Sequence, residues 1–166
     1  MNRRNIRAAL LGVLLVAATA WSQDRSSGQF VEDQFVAEAR ELLQAGRREI
    51  IAEELRLTDA EAESFWPVYD KYQADMMVVR DRYVEIIGGY LARYEAGDLS
   101  DKYAKDLLDD WLDYKADKLK VTKQYVRKFG RVLSMRKVVR FYQLENKMDA
   151  EIDAELAVFV PLMDPF

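Results

Sequence analysis

An apolar stripe between Leu57 and Tyr94 constrains the fold of this chain more than any other feature. Its members follow one another at alternating spacings of four and three residues: Phe65, Tyr69, Tyr72, Met76, Val79, Tyr83, Ile86 and Tyr90. This heptad pattern predicts a helix that packs along another helix for its full length. At about 1.5 Å per residue the helix would be roughly 55 Å long. We therefore expect an all-α fold of elongated antiparallel helical hairpins, and a function that depends on a surface rather than on a deep pocket.

The helix signals predict about four helices. The first helix is expected over residues 31–55. Thr58, with Glu61 three residues later, forms a capping box at the start of the second helix. Ser100 is placed to cap a third helix over residues 101–129, the natural antiparallel partner of the second. Its predicted apolar face comprises Ala104, Leu107, Leu108, Trp111, Tyr114, Val121, Tyr125 and Phe129. The fourth helix is expected over residues 135–157, capped by Ser134, with Val138, Phe141, Leu144, Met148, Ile152 and Leu156 as its apolar set. The tail, residues 158–166, is expected to pack as an extended strap.

The first twenty residues are typical of a secretory signal peptide. Three arginines precede an apolar run over residues 8–18, and Ala18-Thr19-Ala20 supplies the small residues of a cleavage site. The alternative is an uncleaved anchor, although the run is short for a membrane span. We expect residues 1–20 to be the signal peptide, 21–30 a flexible leader and 31–166 a single helical domain.

Composition narrows the function. The chain contains no cysteine and no histidine, so it lacks the usual ligands for zinc and copper and the usual proton shuttle at neutral pH. No phosphate-binding loop, nucleophile elbow or catalytic triad is present. We therefore expect no enzymatic activity, no cofactor and no metal. Without its signal peptide the chain would carry 22 basic and 29 acidic side chains. Export without a cysteine for lipid attachment predicts a soluble protein of the periplasm.

A series of aspartates along the third helix suggests calcium binding or a carboxylate pair at first sight: Asp106, Asp109, Asp110, Asp113 and Asp117. One helix face cannot enclose a calcium ion, and no EF-hand loop is present. The aspartates alternate with lysines at helical spacings, namely Lys102, Lys105, Lys115 and Lys118. We expect an exposed, salt-bridged face.

The clearest functional signal is a basic segment at the junction of the third and fourth helices. It holds nine basic residues and no acid: Lys118, Lys120, Lys123, Arg127, Lys128, Arg131, Arg136, Lys137 and Arg140. Aromatic residues lie between them, which suits an anionic or partly apolar partner. The export signal argues against a nucleic acid. Alternatively, these charges pair internally with the acidic first helix (Glu32, Asp33, Glu38, Glu41) or with the acidic end of the fourth (Asp149, Glu151, Asp153, Glu155). The sequence leaves both readings open.

Two short motifs resemble a known family. Leu57-Thr58-Asp59-Ala60-Glu61 is similar to the LTxxQ motif of the Spy/CpxP-like periplasmic proteins, with Glu in the place of Gln. Val132-Leu133-Ser134, followed by Lys137 and Arg140-Phe141, resembles a degenerate second copy that departs from the motif at residues 135–137. The resemblance implies an antiparallel, cradle-shaped homodimer that acts as an ATP-independent chaperone or restrains a stress-sensing histidine kinase. The metal-binding role of some relatives uses histidines, which this chain lacks.

The sequence therefore leads to two functional hypotheses. The first is a periplasmic, ATP-independent chaperone-like protein that binds unfolded or envelope client proteins on a basic amphipathic helical surface. The nine residues of the basic segment are the predicted client-binding residues. The second is a regulatory adaptor of an envelope stress-sensing system that binds one specific partner, such as a sensor kinase. The two differ in the breadth of proteins that they bind.

Overall fold

The computed structural model describes residues 28–163, with the side chains of residue 41 and of residues 43–163. Four helices make up nearly all of this part: α1 (Gly28–Leu55), α2 (Asp59–Ala96), α3 (Asp101–Phe129) and α4 (Met135–Phe159). No strand occurs among the described residues, which confirms the predicted all-α class.

The helix bounds agree with the sequence prediction to within three residues. α1 begins at Gly28, where the flexible leader was expected to continue to residue 30, because no proline or cap residue stops the helix before Val31. α4 extends two residues beyond the predicted end at Ala157, within the usual fraying of helix termini. The predicted signal peptide and residues 21–27 of the leader lie outside the described residues.

The chain divides into two compact units. The hairpin unit contains Arg56–Gln143 and the residues from Val160 onward; the terminal unit contains α1 and Leu144–Phe159. The single helical domain over residues 31–166 stays a prediction. None of the described helices combines the length and the apolar character that crossing a membrane requires.

Local hydrogen bonds define the ends of the α2–α3 hairpin. The Glu61 amide donates to Thr58 Oγ1 at 3.3 Å, and the Thr58 amide donates to Glu61 Oε2 at 2.9 Å, which completes the predicted capping box. Gly97 ends α2 with φ +66°, a left-handed conformation that glycine adopts without strain. Ser100 Oγ accepts from the Tyr103 amide at 3.3 Å and caps α3. Between these ends, α2 and α3 pack as antiparallel neighbours.

The heptad stripe of α2 forms the hairpin core, as predicted. Six of its eight members are buried: Phe65, Tyr69, Tyr72, Met76, Val79 and Tyr90. Tyr83 and Ile86 are half-buried, and the Tyr83 ring stacks on Tyr114 of α3 with a centroid distance of 4.5 Å.

An aromatic cluster joins α2, the end of α3 and the start of α4. The Phe129 ring lies 5.4 Å from Phe65 and 4.6 Å from Phe141, centroid to centroid, and all three side chains are fully buried. Such ring pairs add about 0.5–1.5 kcal/mol each beyond their buried area. The cluster therefore fixes the turn between α3 and α4, which carries the middle of the basic segment.

In the terminal unit, an ion cluster lies beside the apolar residues. The Arg47 guanidinium contacts Glu145 Oε2 at 3.2 Å and Asp149 Oδ1 at 2.5 Å. Arg47 is 6% exposed and Glu145 is 2% exposed, while Ile51 and Met148 are also buried. These buried charges are not predicted by the sequence pattern, because charged residues are usually exposed to solvent.

Candidate binding surface

The basic segment lies entirely in the hairpin unit. It covers the last turns of α3, the connecting turn and the first turns of α4. Six of the nine side chains are exposed: Lys120, Lys123, Arg127, Arg131, Arg136 and Arg140. Lys118, Lys128 and Lys137 are half-buried. The segment is therefore a surface, but its members differ in their accessibility.

Lys137 has an internal partner. Its ammonium group donates to Glu61 Oε2 and, at 3.0 Å, to the Arg56 carbonyl. This fastens the start of α4 to the capping box at the start of α2. The hydrogen bond from Lys137, followed by that from the Thr58 amide, lowers the pKa of Glu61. Lys137 therefore contributes to the fold.

Lys128 is also engaged within the hairpin unit. Its ammonium group lies 3.8 Å from the centroid of the Tyr125 ring, within the range of a cation–π interaction. The Tyr125 hydroxyl donates to Asp75 Oδ2 at 2.7 Å. Burial, together with the neighbouring Asp75 carboxylate, raises the pKa of Tyr125 to about 12. Lys128 covers this buried phenol.

The structure only partly tests whether the basic segment pairs with acidic residues of the same chain. Lys137 does pair internally, but with Glu61, which belonged to neither acidic set. Asp149 of the fourth-helix set contacts Arg47 of α1. The side chains of Glu32, Asp33 and Glu38 lie outside the described residues. Internal pairing of the six exposed basic residues with these sets stays a prediction.

Three of the exposed cations form a row on α3. Lys120, Lys123 and Arg127 follow one another at i, i+3 and i+7, so their side chains share one face of the helix. We call these three residues the basic row.

An exposed apolar stripe runs along α3 beside the basic row. Its four residues, which we call the exposed stripe, are Leu108 at 55% exposure, Trp111 at 40%, Leu112 at 51% and Leu119 at 51%. Leu119 lies one turn before Lys123, which joins the stripe to the row. The Lys115 ammonium lies 5.1 Å from the centroid of the Trp111 ring. Apolar and cationic groups therefore alternate along one accessible helix face.

The stripe corrects one sequence prediction. Leu108 and Trp111 were assigned to the face that packs on α2, but Tyr114, Tyr125 and Phe129 are the buried residues of α3. The apolar arc of α3 is wider than one neighbouring helix can cover, so its outer edge stays accessible. Leu112 and Leu119 were missed, although their spacing of four and eleven residues from Leu108 places them on its face.

The aspartates of α3 are salt-bridged, as predicted, although with partly different partners. Lys102 contacts Asp106 at 2.8 Å and Lys105 contacts Asp109 at 2.5 Å. The other three surround Arg82 of α2, at 3.3 Å for Asp110, 3.5 Å for Asp113 and 3.2 Å for Asp117. The Asp110 hydrogen bond is the main cause of the raised pKa of Arg82. Among the described residues, no group of three or more carboxylates is arranged to hold a metal ion.

A second, smaller apolar and basic patch lies on the first turns of α4. Met135 and Val139, one turn apart, are both more than half exposed. Arg136 and Arg140 follow them directly in the sequence and are exposed. This end of the hairpin unit therefore repeats the chemistry of the α3 face.

Comparisons of the chain with known protein families, with curated proteins and with solved structures each find no match. The resemblance to the Spy/CpxP-like proteins, and the homodimer that it implies, stay predictions.

Proposed function

We propose that this protein is a periplasmic, ATP-independent chaperone-like protein that binds unfolded or envelope client proteins. Clients bind on the exposed stripe and the basic row of α3. The observation that carries the proposal is the exposure of four large apolar side chains on α3, the last of which, Leu119, lies one turn before Lys123 of the basic row. Single exposed apolar residues are ordinary, whereas a contiguous patch bordered by charge is typical of an interaction site.

The chemistry of this face suits weak and broad recognition. Leucine and tryptophan bury apolar client side chains without directional requirements. The lysines and Arg127 attract acidic stretches over a distance of about one Debye length. Neither interaction requires a defined client conformation, so an unfolded chain satisfies both. Binding is expected to weaken as the salt concentration rises.

The test is suppression of aggregation. Light scattering of two unrelated aggregating proteins is followed without ATP, with and without the purified chain. We expect suppression of both at near-stoichiometric amounts. No effect on either would contradict the chaperone proposal and would favour an adaptor that binds one specific partner.

A matched pair of charge reversals tests the basic row. Lys120→Glu/Lys123→Glu should weaken suppression, whereas Lys71→Glu/Lys147→Glu, which reverses two exposed lysines on other helices, should leave it unchanged. Both variants change the net charge equally. Equal loss of suppression in the two would show that net charge, and not the basic row, governs binding.

A further inference from the structure

Residues 160–163 of the chain's own tail are bound in the hairpin unit. α4 ends at Phe159, and the following residues through Met163 have no regular secondary structure. The Tyr90 hydroxyl of α2 donates to the Pro161 carbonyl at 2.9 Å. Val160, Pro161 and Met163 are half-buried, whereas Leu162 is 89% exposed. Residues 160–163 therefore follow the strap predicted for residues 158–166, whereas Val158 and Phe159 belong to α4 and residues 164–166 lie outside the described residues.

The tail contacts α2 through Tyr90, which lies on an apolar face of that helix. Tyr90 itself is buried, and its ring lies 5.9 Å from that of Tyr94 one turn later. Ile86 and Ile87, one turn before Tyr90, share its face and are half-buried. We call the face formed by Ile86, Ile87, Tyr90 and Tyr94 the tyrosine face. It uses none of the residues of the exposed stripe or the basic row.

The polar contact between tail and helix does not depend on side-chain identity, whereas Val160 and Met163 contribute half-buried apolar side chains. The acceptor for the Tyr90 hydroxyl is a backbone carbonyl, which every residue possesses. Pro161 has no amide hydrogen, so it leaves no donor unsatisfied when it docks outside a sheet, and its ring limits the conformations that docking must restrict. Another extended apolar segment can offer the same carbonyl and the same apolar side chains.

We propose that the tyrosine face is a binding site for extended apolar peptide segments, and that the tail occupies it as an intramolecular competitor. The ligand class is an apolar, proline-containing peptide segment in extended conformation, of which residues 160–163 are an example. The inference does not rest on the chaperone proposal, because it concerns a different face and is tested with the tail peptide itself.

A tethered competitor has a measurable consequence. A segment on a short linker acts at an effective concentration of the order of millimolar. A free peptide of the same sequence must displace it, so its apparent affinity for the intact chain is reduced. We expect release of the tail to increase the affinity for the free peptide about tenfold or more.

The experiment uses the full-length chain and a fluorescein-labelled peptide with the sequence of residues 158–166. Fluorescence anisotropy measures peptide binding to the wild type, to the released-tail variant Val160→Ser/Met163→Ser, and to the matched control Leu162→Ser, which changes an exposed side chain. We expect tighter binding to the released-tail variant alone. Adding Tyr90→Phe to that variant should weaken binding about two- to tenfold, the value of one hydrogen bond. A glycine–serine peptide of equal length should not bind.

Trimming by carboxypeptidase, followed by mass spectrometry, reports whether the tail is held. The released-tail variant should be trimmed faster than the wild type and the Leu162→Ser control. Equal trimming rates would overturn the proposal, because the tail would not be docked in solution. Faster trimming without a gain in peptide affinity would overturn it as well, because the vacated face would then not bind peptide.

Discussion

Replacement of the two exposed leucines at the centre of α3 provides the sharpest test of the exposed stripe. Leu112 and Leu119 are each 51% exposed. Complete burial of a leucine side chain contributes about 1.5–3 kcal/mol. A client that covers the exposed half can gain about half of this per leucine, or about 1.5–3 kcal/mol for both. At about 1.4 kcal/mol per factor of ten, Leu112→Gln/Leu119→Gln should weaken client binding roughly 10- to 150-fold.

The assay is a titration of a fluorescently labelled, permanently unfolded client, read by anisotropy. Glutamine is close to leucine in helix propensity, so α3 should retain its helical circular-dichroism signal. The substitutions also remove the buried half of each side chain, which lowers the unfolding temperature. Binding is therefore measured at a temperature where circular dichroism shows that the wild type and the leucine variant are both folded.

Two exposed valines of α2 supply the control. Val78 and Val84 are 73% and 49% exposed and lie off the stripe, so Val78→Gln/Val84→Gln should bind clients as the wild type does. Unchanged affinity in the leucine variant would show that the exposed stripe does not bind clients. Equal losses in both variants would show that general surface hydrophobicity, and not this face of α3, carries binding.

Two further predictions concern stability. Arg47→Met leaves the buried carboxylate of Glu145 and the neighbouring Asp149 without the Arg47 guanidinium and should lower the free energy of unfolding by about 3–5 kcal/mol. Arg47→Met/Glu145→Met should recover only part of the loss, because Asp149 still lacks the guanidinium. Urea denaturation followed by circular dichroism distinguishes the two variants, and equal losses would contradict the predicted cost of a buried, unpaired Glu145. The lowered pKa of Glu61 means that its contribution is fully present above the ordinary glutamate value of about 4.3 and is lost as the pH falls through the lower, folded-state value. Lys137→Met should therefore flatten the decrease in melting temperature on acidification, and an unchanged acid limb would rule out this ion pair as its cause.

The local signals of the sequence were sufficient for the helices. Thr58 with Glu61 and Ser100 each satisfy amides that lie within three residues of them, so their effect requires no knowledge of the rest of the chain. The alternation of four and three residues in α2 likewise depends only on helix geometry, and it identified Phe65, Tyr72 and the other core residues of this helix.

The interaction surface was predictable only in part. The segregation of nine basic residues is visible in the sequence, but it does not distinguish Lys137, which is bound to Glu61, from Lys123, which is exposed. Glu61 lies 76 positions from Lys137, and no periodicity links residues that are so far apart. Which cations remain accessible is a property of the packed hairpin.

The all-α class, the positions of the four helices and the apolar seam of α2 follow from the sequence alone, because capping and helical periodicity act over a few residues. The joint burial of Arg47 and Glu145 and the accessibility of Leu112 and Leu119 depend instead on how the helices pack. An apolar residue on a helix is buried only where a neighbouring helix covers it, and a charge is buried only where distant residues supply its partner. Both the extent to which a neighbouring helix covers apolar residues and the identity of a buried charge's partner depend on packing between helices that are far apart in the chain.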